Sequence, residues 1–328
     1  MDHVSDAPVA RTATEPRPVD LTRFAWLSIM AAIATITLKA AAWLMTGSVG
    51  LLSDAAESVV NLVAAVVALM ALRVAAAPAS ERFPYGRTKA EYFSAAIEGL
   101  MILVAASVII VTAVERFLNP RPLEQVGIGL AISIIASVIN GVVAAVLIRA
   151  GTKHRSLALT ADGRHLLTDV WTSVGVVVGV GLVWITQWDR LDAIVAFVVG
   201  INIVITGVRL LTASAAGLLD VTLPDEENRA IIEILDRRTD GQVAFHGLMT
   251  RVAGQHRFAT VHVLVPCEWT VKRGHDYVDD LEAELTKAVP GLRVLSHLEP
   301  DADPRSYEDQ PTGAIQFDAA RTEAPEDD

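Results

Sequence analysis

Six apolar blocks of membrane length leave this sequence few folds to choose from. They cover residues 24–45, 49–74, 93–118, 126–148, 166–185 and 191–211. A helix needs about 20 apolar residues to cross a bilayer. No water is there to satisfy backbone N–H and C=O groups, so such blocks must form helices. The chain is 52% hydrophobic, and the apolar residues are concentrated in these blocks. Beyond them the sequence turns polar and mixed. The expected fold is a membrane all-α domain of six transmembrane helices followed by a small α+β domain. The division predicted is a disordered tail over 1–20, the membrane domain over 21–216, the soluble domain over 217–300 and an acidic disordered tail over 301–328.

The short loops set the orientation, because basic residues stay on the cytoplasmic side. With the N-terminus inside, the inner segments hold Arg73, Arg82, Arg87 and Lys89, then Arg149, Lys153 and Arg155, whereas the outer turns hold only Arg116, Arg121 and Arg190. An integral protein of the cell's inner or plasma membrane, with both termini cytoplasmic, is expected. Residues 1–20 are rich in Pro, Asp, Glu and Arg and lack the apolar core of a secretory signal. The single cysteine, Cys267, permits no disulfide within the chain and no cysteine-based zinc motif. A net charge of −11 argues against a nucleic-acid partner.

The soluble part opens on Pro224-Asp225-Glu226-Glu227, residues suited to the first turn of a helix. That helix should run to about Arg238. Strands are predicted over 243–251, 257–265 and 292–298, and a second helix over 271–289, closed by Pro290-Gly291. The order αββαβ is that of a ferredoxin-like or metallochaperone-like open sandwich.

Polar residues inside the apolar blocks carry the chemistry. His165 and Asp169 are four residues apart in span five, and Glu57 and Asn61 are four apart in span two. Four-residue spacing stacks two side chains on one helix face. The two spans run in opposite directions. At about 1.5 Å rise per residue, Glu57 falls near the level of Asp169 and Asn61 near His165. One imidazole nitrogen and three oxygens suit a divalent transition metal, and ionisable groups at that depth usually mark a pathway. Two alternatives stay open: Glu57 paired with Lys39 of span one, and Asp54, one turn above Glu57, as a ligand in place of Asn61. Glu98 of span three is a further intramembrane acid, and Asn140 is the most polar residue of span four.

The soluble domain has its own cluster. His246 and His262 fall on the first two strands, His275 on the second helix, and His297 with Glu299 on the last strand. A sheet and one helix are able to gather them into a second metal site; solvated surface histidines are the plainer reading.

These features together resemble the cation diffusion facilitators, over residues 20–300. The resemblance rests on the six spans, the αββαβ domain and four stretches: Gly47-Ser48-Val49-Gly50-Leu51-Leu52-Ser53-Asp54, Pro84-Tyr85-Gly86-Arg87-Thr88-Lys89-Ala90-Glu91, the His165-x-x-x-Asp169 pair, and Leu218-Leu219-Asp220 followed by Leu223-Pro224-Asp225-Glu226. It implies a homodimer that exports a divalent metal from the cytoplasm against inward-moving protons. Glu57, Asn61, His165 and Asp169 would form the transport site. His246, His262, His275, His297 and Glu299 would form a regulatory binuclear site between protomers. Lys89 and Asp220 would form an ion pair holding the transmembrane halves of the dimer together. The metal serves as substrate and regulatory ligand, with zinc favoured and iron, manganese, cobalt or cadmium open. No catalytic cofactor and no enzyme activity are implied. Two departures stand out. Asn61 takes the place of a carboxylate, and Arg87-Thr88 replaces the His of a loop metal site, whose acidic partner position is Ser80. The alternative function is a membrane-anchored metal sensor or scaffold. An intramembrane hydrolase is disfavoured, since neither His-Glu-x-x-His nor Gly-x-Ser-x-Gly occurs.

Overall fold

The structure is a computed structural model that describes residues 20–46, 49–119, 127–186, 188, 190–308, 311–318 and 320. Six long helices come first: α1 Thr22–Thr46, α2 Val49–Ala75, α3 Ala90–Leu118, α4 Gly127–His154, α5 Leu157–Thr186 and α6 Arg190–Leu218. Among the described residues, Thr22–Ala41, Ala90–Leu118, Ile134–His154 and Ala193–Leu218 are long and apolar enough to cross a membrane. Apolar side chains such as Met30, Met70, Val108, Val138 and Val198 lie on the outside, whereas Ser28, Asn61, Glu98, Asn140, Asp162 and His165 are buried. This is the distribution that a bilayer solvent demands.

The apolar blocks mark the spans but understate the helices. α4 continues through Arg149 to His154, a stretch expected as loop, and only Arg155 breaks it, in the left-handed conformation (φ 55°). α6 runs past the expected domain boundary to Leu218, and Asp220 (φ 59°) makes the break there. Hydrophobicity reports depth in the membrane, whereas hydrogen bonding carries a helix on into the polar layer. α5 is central and packs against all five other membrane helices. Gly163 permits one of these approaches: a Cβ there would lie 2.7 Å from the Ile148 side chain of α4.

The soluble domain follows the predicted order: α7 Asp225–Arg238, β1 Ala244–Ala253, β2 His256–Val265, α8 Val271–Ala288 and β3 Leu292–Pro300. β1 pairs antiparallel with β2, and β2 parallel with β3. On β2, Ala259, Val261, Val263 and Val265 point to one face, where they join Ile231 and Leu235 of α7 and Leu281 and Leu285 of α8 in the core. Thr270 caps α8 by accepting a hydrogen bond from the Arg273 N–H at 3.2 Å.

The segment after Pro300 corrects an expectation. Residues 301–308 and 311–318 are packed on the domain rather than being a detached tail. Asp303 caps a 3-10 turn over Pro304–Tyr307, the Ile315 N–H donates to the Leu248 carbonyl at 2.7 Å, and Ile315 and Phe317 pack on the core. Ala320 bridges to Phe245 on the free edge of β1. Two apolar side chains and an open strand edge hold a segment whose acidic composition reads as disordered. Residues 1–19 and 321–328 of the expected tails lie outside the described residues.

The tip of the β1–β2 hairpin docks on the membrane helices. Thr88 Oγ1 donates to the Ala253 carbonyl at 2.7 Å, and the Gly254 N–H donates to the Tyr92 hydroxyl at 2.9 Å. Gly254 sits at φ +59°, and a Cβ there would come within 2.8 Å of Thr88. Gln255 Nε2 reaches Glu91 Oε1 at 3.4 Å, and the other oxygen of Glu91 accepts from Ser156, whose Oγ caps α5 at the Leu159 N–H.

Candidate metal centres

α2, α4 and α5 bring four polar side chains together in the membrane domain. Asn61 on α2 faces both members of the α5 pair. Its Oδ1 lies 2.8 Å from His165 Nε2, and its Nδ2 donates to Asp169 Oδ2. Asn140 on α4 donates to the same carboxylate oxygen at 3.1 Å. All four are buried. The Asn61 amide has one consistent orientation here: with its NH2 on Asp169, its oxygen accepts from His165 Nε2–H. That tautomer leaves His165 Nδ1 with a bare lone pair, and Nδ1 has no hydrogen-bond partner. The Asn140 carbonyl oxygen is also buried without one. His165 Nε2, Asn61 Oδ1 and the Asp169 carboxylate are the groups that meet here, and an imidazole nitrogen freed of its proton, an amide oxygen and a carboxylate are donor types that suit a transition-metal ion.

Of the predicted membrane-site residues, Asn61, His165 and Asp169 thus converge. The side chains of Glu57 and Asp54 lie outside the described residues. Asn140 was not foreseen as part of the site. Its signal was being a polar residue in a span otherwise built from Ile, Val, Ala, Gly and Ser.

The second centre is built on strand register. His246, His262 and His297 are successive cross-strand partners on β1, β2 and β3, and Glu299 stands two residues beyond His297 on the same face. Glu299 Oε2 lies 2.7 Å from His246 Nε2, and its Oε1 lies 3.1 Å from His262 Nδ1 and 3.6 Å from His297 Nε2. Donor atoms of His246, His262 and Glu299 all fall within 4.8 Å of one another, the spacing a single metal ion needs. A bulge after His246 places Gly247 at φ +64°, and a Cβ there would lie 3.3 Å from the His262 ring. His246 and Glu299 are buried, while His297 is 68% exposed. The Tyr307 ring of the C-terminal segment lies 5.8 Å from the His246 ring and covers this end of the cluster. His275 is not brought in: it is exposed on α8, 3.3 Å from Asp279 of its own helix.

Lys89 and Asp220 do pair, at 2.8 Å, within one chain. Arg251 of β1 joins them at 3.0 Å, so the start of α3, the end of α6 and β1 meet at one carboxylate. Partial burial pushes the Asp220 carboxyl up, but the hydrogen bonds and charges of Lys89 and Arg251 outweigh that and hold it below the ordinary range.

Comparison with known proteins agrees with this architecture. The cation efflux transmembrane domain matches residues 25–219, and the cytoplasmic domain of cation efflux proteins matches residues 223–301. An uncharacterized transporter from Synechocystis, sll1263, is 50% identical over 285 residues, covering 87% of this chain and 92% of its own. The cation-efflux pump FieF of Klebsiella pneumoniae is 31% identical over 271 residues, 83% of this chain and 90% of its own. A solved structure described in the words "Zinc Transporter CzrB" is 39% identical and covers 24% of this chain and 96% of that one, with a TM-score of 0.22. Two family domains matched in sequence order, on six membrane helices followed by an αββαβ domain, make the assignment: the chain belongs to the cation efflux family, the cation diffusion facilitators.

Proposed function

We propose that this protein exports a divalent metal ion, zinc foremost, from the cytoplasm in exchange for protons. The observation that carries the reading is the meeting of Asn61, His165 and Asp169 at one buried point shared by two helices. The ion would be held by His165, Asp169 and Asn61, with Glu57 as the fourth ligand. Asn140 acts as a positioning residue that fixes the Asp169 carboxylate. Neutral imidazole binds metal and imidazolium cannot, so proton and metal compete for His165. A proton arriving from the far side of the membrane would displace the metal there.

The soluble cluster would serve as a sensor. His246, His262 and Glu299 suit one ion within a protomer, and His275, which stands apart in the single chain, would take part only when two protomers meet. A filled cluster would draw two soluble domains together. Through the contacts of Thr88, Tyr92 and Glu91 with the hairpin tip, that motion would reach α3 and the start of α5.

Transport into inside-out vesicles, with zinc, iron, manganese and cobalt offered in turn, tests this. His165→Ala should reduce uptake of the transported metal by more than about 100-fold, beyond the loss typical of an outer-shell change. Full uptake of every metal by this variant would remove the assignment. A membrane-anchored sensor would bind metal at the soluble cluster and move none.

A further inference from the structure

Asp162 stands three residues before His165 and seven before Asp169, so the three share one face of α5. At a rise of about 1.5 Å per residue, Asp162 lies roughly 4.5 Å from His165 along the helix, on the side of the soluble domain. Glu98 of α3 lies on the face turned to this end of α5: Ala95 and Ile102, one turn before and one turn after it, share a buried cluster with Ala161, the neighbour of Asp162. Both side chains are fully buried, at 0% exposure. Each has one hydroxyl donor: Ser28 Oγ donates to Asp162 Oδ1, and Ser94 Oγ to Glu98 Oε1, both at 3.1 Å. The other oxygens, Asp162 Oδ2 and Glu98 Oε2, have no hydrogen-bond partner. Ala106 of α3 and Ile203 and Leu210 of α6 complete that apolar cluster.

Among the described residues, the basic groups on the elements packed around them are placed elsewhere. Arg23 of α1, Arg73 of α2, Arg149 and Lys153 of α4 and Arg209 of α6 are exposed. Lys89 is engaged by Asp220. Lys39 of α1 lies eleven residues beyond Ser28, about 16 Å along the helix. Arg164 is two residues from Asp162, around the helix from it. The remaining titratable groups on α3 and α5 are Glu91 and Tyr92, nearer the soluble domain, Glu115 and Arg116, exposed at the far end of α3, and His165 and Asp169. Two like charges without a counter-ion are not kept in such surroundings. Something that carries positive charge must accompany both.

We propose that Glu98 and Asp162 form a cation-exchange station on the cytoplasmic approach to the transport centre: two carboxylic acids when empty, two carboxylates around one divalent ion when loaded. Loading breaks two O–H bonds, two protons leave toward the cytoplasm, and the ion accepts lone pairs from both carboxylates. Net charge is unchanged and nothing is oxidised or reduced. The station also supplies what the centre lacks, since Asn61 gives that site an amide in place of a carboxylate. This inference rests on the transport reading above.

The test counts protons released per zinc bound to the full-length protein in detergent, by calorimetry in two buffers of different ionisation enthalpy. The Glu98→Gln/Asp162→Asn variant keeps the hydrogen-bonding shapes and should release two protons fewer than wild type, whereas His165→Ala should keep those two. An unchanged proton count in the double variant overturns the station. Should the double variant not fold, wild-type protein is treated with dicyclohexylcarbodiimide, which modifies protonated carboxyls in membranes, and the sites are mapped by mass spectrometry. Zinc-protected labelling at Glu98 or Asp162 is the expected result, and labelling there that zinc leaves unchanged, or none, overturns it. The two readings fail separately: wild type that carries no metal into vesicles defeats the transport reading, while wild type that transports with an unchanged proton count in the variant defeats the station alone.

Discussion

The two candidate metal centres both set imidazole beside a carboxylate, and they are built in opposite ways. In the membrane, His165 and Asp169 come from one helix, and Asn61 and Asn140 from two others. The polar atoms are tied to one another because no water is there to satisfy them. In the soluble domain, His246, His262 and His297 come from three adjacent strands in register, joined by Glu299, and one side stays open at His297. A centre made from packed helices must move when the helices move, which is what carrying an ion across a membrane requires. A centre made from a hydrogen-bonded sheet holds its geometry, which suits reporting whether metal is present.

That contrast is open to a direct break. Glu299 touches all three sheet histidines. Glu299→Gln keeps its shape and removes its charge, and should weaken zinc binding at the soluble cluster by about 10- to 100-fold. Chelator competition on the full-length protein measures this. Vesicle transport at saturating zinc should persist. Transport lost as completely as in His165→Ala would mean that the two centres are one functional unit.

Asn140 offers the same test from the other side. Its Nδ2 holds the carboxylate oxygen that Asn61 also holds. Asn140→Ala should lower transport about 10-fold, the effect of removing a group that orients a ligand. Zinc affinity of the soluble cluster should not change. Equal losses at both centres would point to a general packing defect.

The role of Asn140 shows where sequence reading stops. The His165–Asp169 pair was legible because helical period alone stacks it on one face of α5. A lone Asn in an apolar span has no such internal partner, and its meaning depends on α4 packing beside α5. Strand alternation made His262 and His297 legible as one face of a sheet. Their alignment with His246 depends on register and on the bulge at Gly247, which no local pattern sets. His275 had the right residue type and domain but lies on α8, away from the cluster in one chain. The fold's order of elements was readable throughout. The helix ends and the packed residues 301–308 and 311–318 were not, because both depend on hydrogen bonds to distant chain.

That C-terminal segment yields a smaller effect. Ile315 is half-buried against the sheet core and hydrogen-bonds along β1 through its backbone. Ile315→Ala should destabilise the soluble domain by about 1 kcal/mol, as a partly buried truncation does, read by thermal unfolding. It should also speed metal exchange at His246, which Tyr307 of the same segment covers. The membrane centre should be untouched, which sharpens the distinction between a centre sealed by helices and one sealed by a strap.

The smallest effect falls on the joint between the two regions. Lys89, Asp220 and Arg251 meet there, with side chains 33% to 43% exposed. Solvent and salt screen such a network, so Asp220→Asn should cost only about 0.5 kcal/mol. The pH dependence has a definite sign. The folded carboxyl titrates below its ordinary value, so its contribution is complete above the unfolded carboxylate value of about 4 and is lost as pH falls through the folded one. Wild type should therefore lose its small advantage over Asp220→Asn only in acid, and the two should unfold in parallel from about pH 6 to about pH 8. Any pH dependence of transport within that neutral window must then originate away from the joint, as the proposed competition of proton and metal for His165 requires. A neutral-pH transport profile that Asp220→Asn shifts would instead make the joint part of the proton path, and the two centres would no longer be separable.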